Sequence, residues 1–248
     1  MTGVQTCALR SEAAEPKWTI EKMPSKRVMS CITALPDGTY LILNGAHVGV
    51  AGFGLASDPN HNALLYDPTK PINSRISIMA STTIDRFYHS ESILLQDGRV
   101  LVTGSDPETD GLEQEYRIEA FIPPYLKTGK PVPSYKITDT DWKYGDTVTV
   151  TVTLPSGGTP KFSLMGAESS THGNAMGQRT IFPAFTCSGG TCTITAPPNA
   201  HVAPPGWHQL FLLENGVPSK SVYVRIGGDP ANLGAWPKLP DFTVPGSG

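Results

Sequence analysis

Apolar and polar residues alternate strictly over Thr147-Val148-Thr149-Val150-Thr151-Val152-Thr153-Leu154. A period of two puts the valines on one face and the threonines on the other, which predicts a β-strand with one buried side. Five more stretches of strand character follow, over 161–164, 179–182, 191–195, 208–214 and 221–226, separated by Gly and Pro turns. That spacing predicts an immunoglobulin-like β-sandwich over residues 134–228. Upstream the pattern changes. Ile93-Leu94-Leu95 and Val100-Leu101-Val102 flank Asp97-Gly98, which reads as a two-residue hairpin turn because glycine accepts a positive φ.

That hairpin has a near copy sixty residues earlier, from Arg27 to Gly45, with Asp37-Gly38 at its turn. A second match follows each hairpin: Leu64-Leu65-Tyr66-Asp67-Pro68 parallels Glu119-Ala120-Phe121-Ile122-Pro123. A repeated hairpin plus a later strand predicts kelch-type propeller blades over residues 15–126. Two blades do not close a ring, so earlier blades are expected to be missing from this chain. Lys127 to Pro133 reads as a linker and 229–248 as a Pro/Gly-rich tail. The expected fold class is therefore all-β, incomplete kelch-type blades followed by an immunoglobulin-like (early-set) sandwich. Residues 1–14 resemble a translated adapter oligonucleotide and read as a non-native leader, without an apolar stretch of signal-peptide length.

Composition narrows the function. The 248 residues carry a net charge of −3, with no basic patch, so nucleic acid is not an expected partner. No apolar run approaches the ~20 residues of a membrane helix, and no membrane partner is expected. Gly (25) and Pro (23) are plentiful, as suits many turns and few helices. Of the four cysteines, Cys187 and Cys192 flank a Ser-Gly-Gly-Thr turn. They read as a disulfide closing a hairpin, which implies secretion, or else as two reduced thiols. A zinc half-site lacks a second pair of ligands nearby.

Candidate chemistry gathers on histidines. In the repeat, Tyr88-His89 stands where the earlier copy has Val28-Met29, a local hint of function. On a regular strand Tyr88 and His89 would point to opposite faces, so one shared site requires irregular backbone. His172 lies in a polar, Gly-rich loop, a common place for binding residues, whereas His201 sits among prolines and reads as structural. Two imidazoles with a phenolate suit Cu(II), or zinc, better than magnesium or calcium. A Ser90–His89–Asp97 hydrolase can be drawn, but no nucleophile elbow accompanies it.

Together these stretches resemble the fungal glyoxal oxidases, secreted copper-radical oxidases related to galactose oxidase. The resemblance spans roughly 17–228. It rests on Met23-Pro24-Ser25-Lys26-Arg27-Val28-Met29, Asn44-Gly45-Ala46 with Ala51-Gly52-Phe53-Gly54, Arg86-Phe87-Tyr88-His89-Ser90, Ser170-Thr171-His172-Gly173-Asn174 and Pro204-Pro205-Gly206-Trp207-His208-Gln209. It implies copper held by His89, His172 and the axial Tyr88, with Tyr88 accepting the substrate proton. It implies oxidation of small aldehydes such as glyoxal and methylglyoxal to acids, with O2 reduced to H2O2, by an extracellular monomer whose signal peptide is not in this sequence. The family's radical resides on a tyrosine cross-linked to a cysteine in earlier blades, and that pair is not found here. Cys31 has a similar register but the wrong blade, and reads as a core thiol. The chain alone is therefore expected to be inactive. For one ion to reach all three ligands, the loop from Ser169 to Gln178 must enter the propeller channel, with Ser90 and Gln178 as candidates to steady the imidazoles. The alternative is a propeller and sandwich that bind carbohydrate or cell wall without redox chemistry, which does not require Tyr88, His89 and His172 to converge.

Overall fold

The structure, a computed structural model, describes residues 19–107 and 113–229 together with the strand Val4–Thr6. The expected leader (apart from Val4–Thr6) and the tail after Asp229 lie outside the described residues. The fold is all-β. Among the described residues the helical element is a 3-10 turn, Pro124–Lys127, and no α-helix occurs.

The first blade is a four-stranded antiparallel meander, Cys31–Ala34, Tyr40–Leu43, Asn62–Tyr66 and Ile76–Ser81. The second has three described strands, Glu91–Leu94, Val100–Thr103 and Glu119–Phe121. The repeat is exact in register. Tyr40 pairs with Tyr66 in the first blade, and Val100 with Phe121 in the second. The inner strands of the two blades touch through a Thr33–Ser92 hydroxyl pair at 2.7 Å.

The hairpin turns differ from the two-residue form expected. In both, the residue after the strand bonds across a three-residue loop, Leu35 N to Thr39 O and Leu95 N to Arg99 O, at 2.9 and 2.8 Å. Gly38 and Gly98 are left-handed (φ 94° and 81°), while Asp37 and Asp97 are not. This is a type I turn followed by a left-handed glycine. The aspartate's role is therefore its side chain: Asp37 Oδ1 accepts from Thr39 N at 3.0 Å, and Asp97 Oδ1 from Arg99 N at 3.1 Å.

Two packed sheets follow. One orders Ser134–Lys136, Thr147–Thr153, Thr191–Thr195 and Phe185–Ser188. The other orders Asp141–Trp142, Val222–Ile226, Gly206–Glu214, Pro160–Gly166 and Thr180–Ile181, with Val217–Pro218 paired to Gly206–Glu214. Alternation works as expected: Val148, Val150 and Val152 are buried between the sheets with Phe162, Leu164, Leu210 and Leu212. Cys187 and Cys192 face each other across the hairpin and are joined by a disulfide.

From Leu210 to Leu213 the strand Gly206–Glu214 is apolar on both faces, and both are covered. Phe211 and Leu213, with Met165 of the neighbouring strand, join the core of the blades beside Leu35, Leu41 and Val100. The sandwich is thus seated against the propeller strands through shared apolar packing, and its loops are brought to the blades' inner ends.

Candidate metal centre

Tyr88 and His89 sit just before the inner strand of the second blade. His89 is left-handed at φ 60°. This single kink interrupts the strand alternation, so the two consecutive rings stack instead of diverging, with centroids 4.1 Å apart. The kink is braced on three sides. Ser90 N donates to Phe87 O at 3.2 Å and Asp106 N to Tyr88 O at 2.6 Å. Gly104 packs against the His89 carbonyl, where a Cβ would lie 2.6 Å from the oxygen. Arg86, only 2% exposed, donates to Gly104 O (2.8 Å), Arg117 O (3.0 Å) and Glu119 (3.0 Å).

His172 arrives from the sandwich on a finger, the two-stranded hairpin Ser169–Thr171 and Asn174–Met176. Its turn is His172-Gly173, both left-handed at φ 54° and 74°. That is the primed two-residue turn whose twist suits a hairpin. A finger this narrow can enter between the blades. Gly173 packs onto the backbone of blade one, where a Cβ would lie 2.5 Å from Ser30 O.

The result is a convergence. Nε2 of His89 and Nε2 of His172 lie 3.3 Å apart. The Tyr88 ring lies 5.5 Å from that of His172. Each imidazole has a separate partner at Nδ1: Thr171 Oγ1 at 2.7 Å for His172, and the Asp106 carboxylate at 3.8 Å for His89. With the Thr171 hydroxyl accepting from His172 Nδ1, the Nε2 lone pair of His172 is left free for an ion, whereas Asp106 faces His89 Nδ1 from beyond hydrogen-bond distance. Met29, Ala51, Phe87, Ser90 and Gly173 complete a cavity of about 150 Å³ around the three rings. Phe53 stands edge-on against two of the rings, 4.6 Å from Tyr88 and 5.1 Å from His89.

The donor set fits an ion of the copper or zinc kind. Imidazole bonds of ~2.0 Å place two nitrogens on one ion about 3 Å apart. The observed separation matches without rearrangement.

Other sequence-derived candidates fall elsewhere. His201 is exposed and away from the cavity, its carbonyl accepting from Arg179 at 2.9 Å. The hydrolase drawing fails: Asp97 pairs with Arg99 at the hairpin turn, and the Ser90 hydroxyl has no hydrogen-bond partner among the described residues. Ser90 and Gln178 do not hold the imidazoles, as was expected of them. Gln178 instead grips blade one, accepting from Ala34 N and donating to Ile32 O at 3.0 Å. Asp106 and Thr171 take the imidazole contacts. Thr171 was legible as the neighbour of His172; Asp106 follows a long return through the second blade and gave no signal. Cys31 is buried, donating to Ser90 O at 3.2 Å, and its thiol is pushed up to about 11 by burial.

Comparison with known proteins identifies the family of the chain. Residues 1–125 match the family model described as Glyoxal oxidase N-terminus, and residues 131–226 the one described as Galactose oxidase-like, Early set domain. A WSC domain-containing protein of Arthroderma benhamiae is 57% identical over 239 residues, 96% of this chain and 26% of that protein. An aldehyde oxidase of Arabidopsis thaliana is 37% identical over 90% of this chain and 40% of its own length. The chain thus spans between about a quarter and two-fifths of these curated relatives. A solved fungal alcohol oxidase, described as in complex with copper, superposes with a TM-score of 0.74 at 22% identity, covering 86% of this chain and 46% of that one. That likeness is one of fold.

Proposed function

Because the chain belongs to the glyoxal oxidase family, with its galactose oxidase-like early-set domain, we propose that it carries the metal-binding part of an extracellular copper-radical oxidase of small aldehydes. The observation that supports this most directly is the 3.3 Å approach of His89 Nε2 to His172 Nε2 beside the Tyr88 ring. His89, His172 and Tyr88 would hold the metal, and copper, when bound, would supply one-electron redox chemistry. The net reaction is RCHO + H2O + O2 → RCOOH + H2O2, with the aldehyde entering as its hydrate. The Tyr88 phenolate oxygen takes the proton of a hydrate hydroxyl. Phe53 and the 150 Å³ cavity favour a small substrate and screen one side from water. The Cys187–Cys192 disulfide favours an oxidising compartment.

In this reading Cys31, a buried thiol donating to Ser90 O, is a core residue and not the cross-linked partner of a radical tyrosine. The 248-residue chain should therefore bind Cu(II) yet make no peroxide from methylglyoxal. Calorimetric Cu(II) titration of three proteins tests the site. Wild type should bind, His172→Ala should lose most of that affinity, and His201→Ala should match wild type. Equal binding by wild type and His172→Ala, or none by wild type, would remove the copper reading. The binding-module alternative offers no reason for the three rings to converge.

A further inference from the structure

The two imidazoles belong to different sheets and are 83 residues apart, yet their nitrogens meet within one ion's reach. Something must fix the finger relative to the kink. Shared apolar packing sets the sandwich against the blades, but it lies under the finger's base and is non-directional. Directional contacts are needed near the tip.

One side chain provides them. Glu91 begins the inner strand of the second blade, two residues after His89. Its Oε2 accepts from the Ser170 hydroxyl, and its Oε1 accepts from Gly173 N at 3.1 Å. These donors bracket His172 on both sides of the turn. A carboxylate accepting two hydrogen bonds in a part-buried setting makes stronger contacts than a neutral acceptor. It also satisfies the Gly173 amide. Gln178 grips the same hairpin unit, but several residues from the tip and against the other blade.

We propose that Glu91 is the positioning residue for His172: its carboxylate clasps Ser170 and Gly173 so that the His172–His89 separation is set by the short segment His89-Ser90-Glu91. This rests on His89 and His172 being the metal ligands. It assigns Glu91 no contact with metal or substrate. The clasp also gives the finger's polar residues a use that their loop position alone did not reveal.

The test uses the full 248-residue chain and two readouts. The first needs no metal: in protein labelled with 15N-histidine, the nuclear Overhauser contact between the His89 and His172 rings should be present in wild type. It should be lost in Glu91→Ala and retained in Glu91→Gln, which keeps an acceptor for Gly173 N. The second is Cu(II) affinity and the nitrogen hyperfine pattern of the bound ion. Glu91→Ala should weaken binding 10–100-fold, as partners behind metal ligands do, with Glu91→Gln nearer wild type and Ser170→Ala between them. Should Glu91→Ala fail to fold, Ser170→Ala carries the test, since it removes one arm from a partly buried position and leaves the Glu91 carboxylate in place. Ring contact and affinity within twofold of wild type in both Glu91→Ala and Ser170→Ala would overturn the clasp. If wild type binds no copper, the metal reading fails, while the ring contact still decides the clasp.

Discussion

Met29 and His89 occupy the same backbone kink in successive blades, left-handed at φ 56° and 60°. Asn44 and Gly104, which close the two kinks, are likewise both left-handed, at φ 62° and 76°. Arg27 and Arg86 brace them in parallel, donating to Asn44 O at 2.6 Å and to Gly104 O at 2.8 Å. The irregular backbone is thus a property of the blade repeat and not a distortion introduced by the site. The site uses a kink that the fold already contains, and changes only the side chains presented on it.

His89→Met should therefore fold. Methionine already adopts this conformation at position 29, so the backbone cost, ~1–2 kcal/mol for a non-glycine residue, is the same before and after. The expected result is a melting temperature within a few degrees of wild type, with copper binding lost. A variant that fails to fold would show that the His89 contacts, and not the repeat, hold the kink.

The Cys31 thiol should be silent. Burial, and then the nearby Glu91 charge, push it up to about 11, so the thiolate that reacts is scarce at pH 8. In a Cys7→Ser background, native protein should resist a disulfide-exchange reagent, and react only once unfolded in urea. Labelling of one thiol per chain within minutes in native buffer would show the core opening around Cys31.

How far the fold was readable depends on the kind of signal. Val148, Val150 and Val152 announced their buried face because a strand has a fixed period. The blade register followed from repetition, and Tyr66 and Phe121 hold equivalent places. The turns were misjudged because Asp-Gly suits two loop types, and side-chain capping by Asp37 and Asp97 decided between them. Tyr88, His89 and His172 were legible as candidates from the repeat and the polar loop, and as a ligand set through the resemblance. Their convergence was expected as what one shared ion requires, but the means of it was not legible, since it depends on Gly173 meeting Ser30 and on the docking of two domains. Glu91 and Asp106 lacked any local pattern; their roles arise only from partners far away in sequence.

Glu168, at the base of the finger, makes stability depend on pH. Burial pushes its carboxyl up from 4.5 to about 7, and Oε2 is buried with no hydrogen-bond partner among the described residues. Between those values the folded protein holds a proton that the unfolded chain has released, so stability falls as pH rises from about 4.5 to about 7. Glu168→Gln should flatten that slope. Urea midpoints at pH 5 and pH 8 should show wild type losing on the order of 2 kcal/mol more than the variant. Equal losses would mean that Glu168 is charged throughout.

The turn glycine of the finger gives the sharpest separation of stability from site geometry. Gly173 and Gly177 are both left-handed, at φ 74° and 77°, so alanine at either should cost a similar ~1–2 kcal/mol in backbone strain. Their surroundings differ. A Cβ at 173 would lie 2.5 Å from the Ser30 carbonyl oxygen, whereas one at 177 would meet its nearest neighbour, Ala167 O, at 3.6 Å. Ser30 adjoins the inner strand Cys31–Ala34, so its backbone cannot yield without shifting blade one. In Gly173→Ala the finger must retreat instead, lengthening the Gly173 N contact with Glu91 and carrying His172 away from His89. Both variants should melt a few degrees below wild type. Copper affinity should fall at least tenfold in Gly173→Ala and stay within about twofold in Gly177→Ala, a contrast expected if affinity follows how the ligand is held. Calorimetric titration beside thermal melts of the two variants reads this directly. Equal affinity losses in both would mean that the finger's strain, and not its seating against blade one, controls the metal centre.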